Sequence, residues 1–214
     1  MPIFFNACCG RDTDVVANRE APAHASPHNS QVNAVVNAPG RGAIHQPLTG
    51  TAGRANTLRR RAEIERDLVS WRTKGTAAEH RNEAVRRISQ CVQNNAKSLC
   101  LSHLQLTSLP QSIGQLAQLE TLMVDHNALG DLPNTASDLR NLQHLCVDHN
   151  QLTRLPTDLG NMTKLRTLHA NDNQLTELPQ SLSALSKLLD LQVQNNQLQV
   201  FPAQLETLRI GTIV

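Results

Sequence analysis

Five histidines, His103, His126, His144, His149 and His169, lie between positions 103 and 169 of this 214-residue chain. Imidazole ligates metals, exchanges protons near neutral pH and hydrogen-bonds to protein partners. His103, His126 and His149 are spaced by 23 residues, and Asp125 and Asp148 directly precede two of them. Three chemistries fit: a polar surface that contacts a partner, a pH-sensitive surface on which neighbouring imidazoles resist charging together, or a Zn²⁺ or Ni²⁺ site. Lateral spacing along a sheet seldom meets tetrahedral geometry, so no metal or cofactor is assigned. No Cys/His/Asp relay, phosphate loop or kinase motif is recognisable, and no catalytic activity is expected. The five cysteines are an odd count without tight pairing and read as reduced thiols. Cys8-Cys9 is a candidate for S-acylation, although stable anchoring takes two signals and no polybasic patch adjoins.

The elements that would position these residues follow from composition. Twenty basic residues face eighteen acidic ones, which excludes a generally cationic nucleic-acid binder. The aromatics are Phe4, Phe5, Trp71 and Phe201, so the core must be aliphatic and a base-stacking platform is excluded. The apolar runs are too short for a membrane span, and the N-terminus lacks the basic and apolar regions of a secretory signal. Pro2 excludes N-myristoylation. Residues 1–53 hold nine Ala and five each of Pro, Gly and Asn, without Lys or sustained apolar period. Such a segment cannot offset its chain entropy and is expected to be a disordered arm.

From residue 96 a repeat takes over. Asn127, Asn150, Asn173 and Asn196 step by 23, as do Leu122, Leu145, Leu168 and Leu191. Pro110, Pro133, Pro156, Pro179 and Pro202 keep the same step. The unit reads L-x-x-L-x-L/V/A-x-x-N-x-L-x-x-L-P, and in the unit before Asn127 Leu104 replaces the Asn. Alternating residues such as Leu122 and Val124 suit a short strand with an inward face. The Asn amide suits bonding to backbone of neighbouring turns. Pairs three apart, such as Ile113/Leu116 and Leu182/Leu185, suit a 3₁₀ turn on the opposite side. One unit cannot bury its own apolar face, so units must stack, with parallel strands about 4.8 Å apart on a concave face.

Residues 54–95 read as two helices that would cover the first repeat. Leu58, Ile64, Leu68 and Trp71 lie on one, Ala84, Val85, Ile88, Cys91 and Val92 on the other, with a break at Gly75. The segment holds ten basic residues against five acidic, and its arginines are expected on a solvated face. After Pro202 come Leu205 and Leu208, half of a further unit, before the sequence runs out at Gly-Thr-Ile-Val. Either that short tail closes the core or the chain is a piece of something longer.

The repeat resembles the leucine-rich repeats of intracellular, Ras-suppressor-like proteins of plants and bacteria. The preceding segments, Trp71-Arg-Thr-Lys-Gly75, Glu83-Ala-Val-Arg-Arg-Ile-Ser-Gln-Cys91 and Leu99 to Pro110, resemble the helical cap and first repeat of leucine-rich-repeat effectors delivered by type III secretion from Gram-negative, notably plant-pathogenic, bacteria. The resemblance implies an α/β solenoid, a right-handed leucine-rich repeat with an N-terminal α-helical hairpin cap. Its parts would be a disordered arm at 1–53 that serves as secretion and translocation signal, a cap at 54–95 and repeats at 96–214. Many such effectors carry a C-terminal ubiquitin-ligase domain with a Cys-x-Asp nucleophile. Cys146-Val147-Asp148 matches that motif, but Val147 takes the buried strand position, so the match reads as chance.

The resemblance implies a non-catalytic virulence effector, monomeric and soluble in the host cytoplasm, whose concave face binds a host protein. Between the inward strand positions lie the residues expected to make that contact: Met123, His126, His144, Cys146, Asp148, His149 and His169. The alternatives are the substrate-recognition half of a split or truncated ubiquitin ligase, and a non-secreted scaffold inside the producing cell.

Overall fold

The computed structural model describes residues 49–199 and 212–213. The expected arm at 1–53 therefore lies outside the described residues up to position 48, as does the Cys8-Cys9 pair. Residues 49–53 open α1, which spans Thr49–Thr73. The packing below lies within Arg54–Val214.

Among the described residues, six short strands follow two helices. They are β1 (Ser98–Cys100), β2 (Thr121–Met123), β3 (His144–Cys146), β4 (Thr167–His169), β5 (Asp190–Gln192) and β6 (Thr212–Ile213). All pair in parallel and in sequence order, with Leu99, Leu122, Leu145, Leu168 and Leu191 in one register row. This is the leucine-rich solenoid expected from the 23-residue step. The tail after Leu208 supplies β6, which joins β5 with Asp190 opposite Thr212, one residue short of that step.

In β1 to β5 the central Leu is buried with the residue two beyond it, as at Leu122 and Val124, while the flanking positions face outward. Opposite the sheet run 3₁₀ helices at Gln111–Gln115, Asn134–Asp138, Leu159–Asn161 and Gln180–Ala184. A repeat proline directly precedes three of them, while Asp158 precedes the third; in all four a repeat proline's carbonyl accepts a short-range bond, for example from Ile113 N–H to Pro110 at 3.1 Å and from Leu159 N–H to Pro156 at 3.1 Å. Proline's fixed φ suits this extended position (φ −67°, −63° and −65° at Pro110, Pro133 and Pro179). The 3₁₀ turns stack so closely that a Cβ on Gly114 would lie 2.0 Å from the Thr135 carbonyl oxygen.

The Asn column ties rung to rung. Asn150 Oδ1 accepts from Leu129 N–H, and its Nδ2 donates to the carbonyls of Val124, Val147 and Asp148. Asn127, Asn173 and Asn196 repeat the pattern. Leu104, in place of an Asn, is buried against the helices.

α1 and α2 (Arg81–Gln93) cover the edge of the first repeat, with Ile64, Leu68, Trp71, Ala84, Ile88 and Cys91 joining the repeat core. Leu58 does not: it is 65% exposed. Six residues of helix turn it about 240° from Ile64, so it leaves the Ile64–Leu68–Trp71 stripe. The arginines are not uniformly solvated either. Arg81 is 6% exposed. Its Nε meets Glu79 Oε2 at 2.6 Å, its guanidinium lies 4.5 Å from the Trp71 ring centroid, and it donates to Ser108 Oγ and to the Trp71 carbonyl. Gly75 matters through this knot, since a Cβ there would sit 2.5 Å from Arg81 Cδ. Burial alone would raise the Glu79 carboxyl, but hydrogen bonds from Arg81, Thr76 and Thr107 reverse this and hold it at about 2.

Candidate functional site

The outward face of the sheet and the turns just beyond it carry the seven residues expected to contact a partner. Met123, His144, Cys146 and His169 lie at the strand edges and are half-buried. Asp148 is half-buried just beyond β3, and His126 and His149 are exposed.

The column His103, His126, His149, Asp172, Asn195 has a backbone cause. Every member has positive φ, between 50° and 60°. The left-handed region favours Asn, Asp and His among non-glycine residues. In this turn the N–H groups of His103, His126, His149 and Asp172 reach the next rung, as from His126 to the Asp148 carbonyl at 3.0 Å and from His149 to the Asn171 carbonyl at 3.0 Å. Identical backbone then aims successive side chains alike. His103 and His126 stack with ring centroids 4.3 Å apart and 11° between planes, and His126 and His149 at 4.3 Å and 18°. The column continues as His149 Nδ1 to Asp172 Oδ2 at 3.5 Å and Asn195 Nδ2 to Asp172 Oδ1 at 2.8 Å. Partial burial, then the charges of His103 and His149, lower the pKa of His126. Burial, then Arg166 and His169, lower that of His144. Both imidazoles therefore resist protonation.

A second group forms where no relay was recognisable in the sequence. Cys146, Asp148 and His169 each bring one donor atom to within 4.8 Å of the other two. Cys146 Sγ lies 3.5 Å from Asp148 Oδ2, and His169 Nε2 lies 3.0 Å from Asp190 Oδ2. Asp190 was not singled out from the sequence, although the 23-residue register already placed it on the strand beside His169. Burial and the Asp148 carboxylate push the Cys146 thiol up, the reverse of what a thiolate nucleophile requires. The Cys-x-Asp match thus lacks an activated sulfur.

Not every outward residue is free to meet a partner. Ser102 is 4% exposed and donates to Asp125 Oδ1 at 2.5 Å. Asp148 Oδ1 accepts the Asn171 N–H at 2.6 Å. His144 Nδ1 is 3.0 Å from Thr167 Oγ1. Among the described residues Cys91, Cys100 and Cys146 form no disulfide, and no helix is long and apolar enough to cross a membrane.

Solved structures share this fold. The leucine-rich-repeat domain of a Shigella effector is 29% identical, with a TM-score of 0.58 over 66% of this chain and 60% of that one. YopM, a leucine-rich effector protein from Yersinia pestis, is 31% identical, with a TM-score of 0.56 over 65% of this chain and 37% of its own. YopM from Yersinia enterocolitica WA-314 is 30% identical, with a TM-score of 0.56 over 66% and 30%. The chain thus spans less than two thirds of each of these proteins. No curated protein sequence matches it. The model of the leucine-rich repeat region matches residues 93–208. That segment is more than half of the sequence, and the chain belongs to the leucine-rich repeat family.

Proposed function

We propose that the protein is a bacterial effector, secreted into host cells through a type III system, and that it binds a host protein on the concave face of its repeats without chemistry of its own. The observation that carries this reading is the outward face of the sheet. A ladder of three stacked imidazoles runs beside half-buried Met123, His144, Cys146, Asp148 and His169, five residues of four types. Protein interfaces draw their energy from a few such anchored side chains amid near-neutral contacts. Similarity to effector domains of Shigella and Yersinia supports the biological setting. The raised Cys146 thiol supports binding over catalysis.

The test is capture of a host protein by the full chain, compared with a triple variant, His126→Asn, Asp148→Asn and His149→Asn. Asparagine tolerates positive φ at 126 and 149 and retains at 148 a side-chain oxygen for the Asn171 N–H. The variant should keep its circular dichroism and lose capture by tenfold or more. Capture retained by a folded variant refutes the assignment of this face. Export of a reporter fused to residues 1–53 should require a working type III system; export without one refutes the secretion route.

A further inference from the structure

Two groups of side chains have the composition of a metal site: His103, Asp125 and His126, and Cys146, Asp148 and His169. Geometry separates them. A metal ion sits in the plane of each imidazole that ligates it, on the nitrogen lone pair. The rings of His103 and His126 are stacked within 11° of parallel, so their lone pairs run side by side and do not converge. Asp125 is also held by Ser102.

The other group has converging donors. Residues two apart in extended chain point to the same face, which brings Cys146 and Asp148 together. The register Cys146↔His169 sets the histidine one rung away. With Zn–S about 2.3 Å and Zn–O about 2.0 Å, the S···O edge of a zinc tetrahedron is about 3.5 Å. Cys146 Sγ and Asp148 Oδ2 are 3.5 Å apart. Both other ligands are oriented from outside. Asn171 N–H holds Asp148 Oδ1 at 2.6 Å, and Asp190 holds His169 Nε2 at 3.0 Å. The latter is the carboxylate–histidine pairing that fixes a ligand ring and raises its basicity. Gln192 Nε2 in turn donates to Asp190.

We infer that Cys146, Asp148 and His169 form a binding site for a divalent ion of the zinc class, with Asp190 as the positioning residue of His169. Sulfur, nitrogen and oxygen from three residues suit Zn²⁺ over Mg²⁺ or Ca²⁺, which take oxygen ligands. With Asp190 on Nε2, Nδ1 would be the nitrogen left for the metal. The thiol proton leaves to solvent as the S–Zn bond forms, with no change in oxidation state. A water or a side chain of a bound partner completes the tetrahedron. This site does not depend on the partner proposed above, because the metal is tested on the protein alone.

Co²⁺ is the probe, because thiolate ligation gives a near-ultraviolet charge-transfer band and tetrahedral geometry gives intense visible bands. The purified full chain should bind one Co²⁺ with both features, and Zn²⁺ should displace it. Cys146→Ser should abolish the charge-transfer band with circular dichroism unchanged. His169→Ala and Asp148→Asn should weaken binding at least tenfold, and Asp190→Asn by ten- to hundredfold. A chain with Cys8, Cys9, Cys91 and Cys100 all changed to Ser should keep the band. In the unaltered protein, Zn²⁺ should protect Cys146 from alkylation, read by mass spectrometry, even if that multiple variant does not fold. No thiolate band in excess Co²⁺, a band that survives Cys146→Ser, or alkylation of Cys146 unaffected by Zn²⁺ would overturn the assignment.

Discussion

Replacing Asn150 by Ala removes four hydrogen bonds, yet it orphans a single group. The Val124 carbonyl keeps the Asn127 amide at 2.8 Å, and the Val147 carbonyl keeps the Asn173 amide at 3.0 Å. The Asp148 carbonyl keeps the His126 N–H at 3.0 Å. The Leu129 N–H, buried and bonded to Asn150 Oδ1 at 3.0 Å, is left without a partner. A buried orphan donor costs about 1–3 kcal/mol, and three weakened carbonyls move the expectation to the upper half of that range. For a domain of this size, about 2 kcal/mol lowers Tm by roughly 4–8 °C. Asn196 makes the matching bonds at a more exposed rung, where water can replace them, so Asn196→Ala should cost about 1 kcal/mol or less. Asn127 Oδ1 accepts two N–H groups, of Leu104 and Leu106, so Asn127→Ala should cost no less than Asn150→Ala. Asn150→Asp should be worse than Ala, because it keeps the acceptor but sets a charge against three carbonyls. Urea and thermal unfolding followed by circular dichroism give the ranking. Equal costs at 150 and 196, or a cost under about 0.5 kcal/mol at 150, would refute the ladder as a buried rung-to-rung tie.

Other perturbations test the helices, the turns and the histidines. Glu79 has its folded pKa lowered to about 2, so its contribution is complete above the unfolded value of 4.5 and lost as pH falls from about 5 towards 2; Glu79→Gln should destabilise at pH 7 and flatten that acid limb, and an unchanged limb counts against the buried pair. Gly114→Ala should cost about 1–3 kcal/mol by overpacking against the Thr135 carbonyl. Gly130→Ala, with nothing within 4 Å of the added Cβ, should be near neutral, and equal effects refute the close-stacking account. His126 and His144 have lowered pKa values; each is neutral in the fold where the unfolded chain still binds a proton, so their contributions hold above about pH 6.5 and fall below it. His126→Asn should reduce that loss between pH 6.5 and 5 in equilibrium unfolding, and an unaltered profile would show that the ladder does not resist charging.

Much of the fold is legible because the physics repeats. A 23-residue step in Leu, Asn and Pro dictates which positions face inward, which amide bonds across rungs and where each 3₁₀ turn opens. The helices follow less fully. Ile64, Leu68 and Trp71 declare a face at helical spacing, whereas Leu58 is apolar yet lies off it. Arg81 and Glu79 carry no local sign of burial. Their sites exist only because Trp71, Ser108 and Thr107 arrive from elsewhere in the chain to pair with them. On the outward face the columns are readable, but their causes are not. The histidine spacing is visible in sequence, while the positive φ that stacks the rings belongs to the turn.

By itself the sequence determined the solenoid and the side of the sheet on which each residue stands, since period and alternation are properties of neighbours along the chain. Only the tertiary structure decided that His103 and His126 lie with parallel rings while Cys146, Asp148 and His169 converge, with Asp190 behind the last. Those relations depend on side-chain direction between rungs, and residues 21 to 23 positions apart meet only once the repeats have stacked.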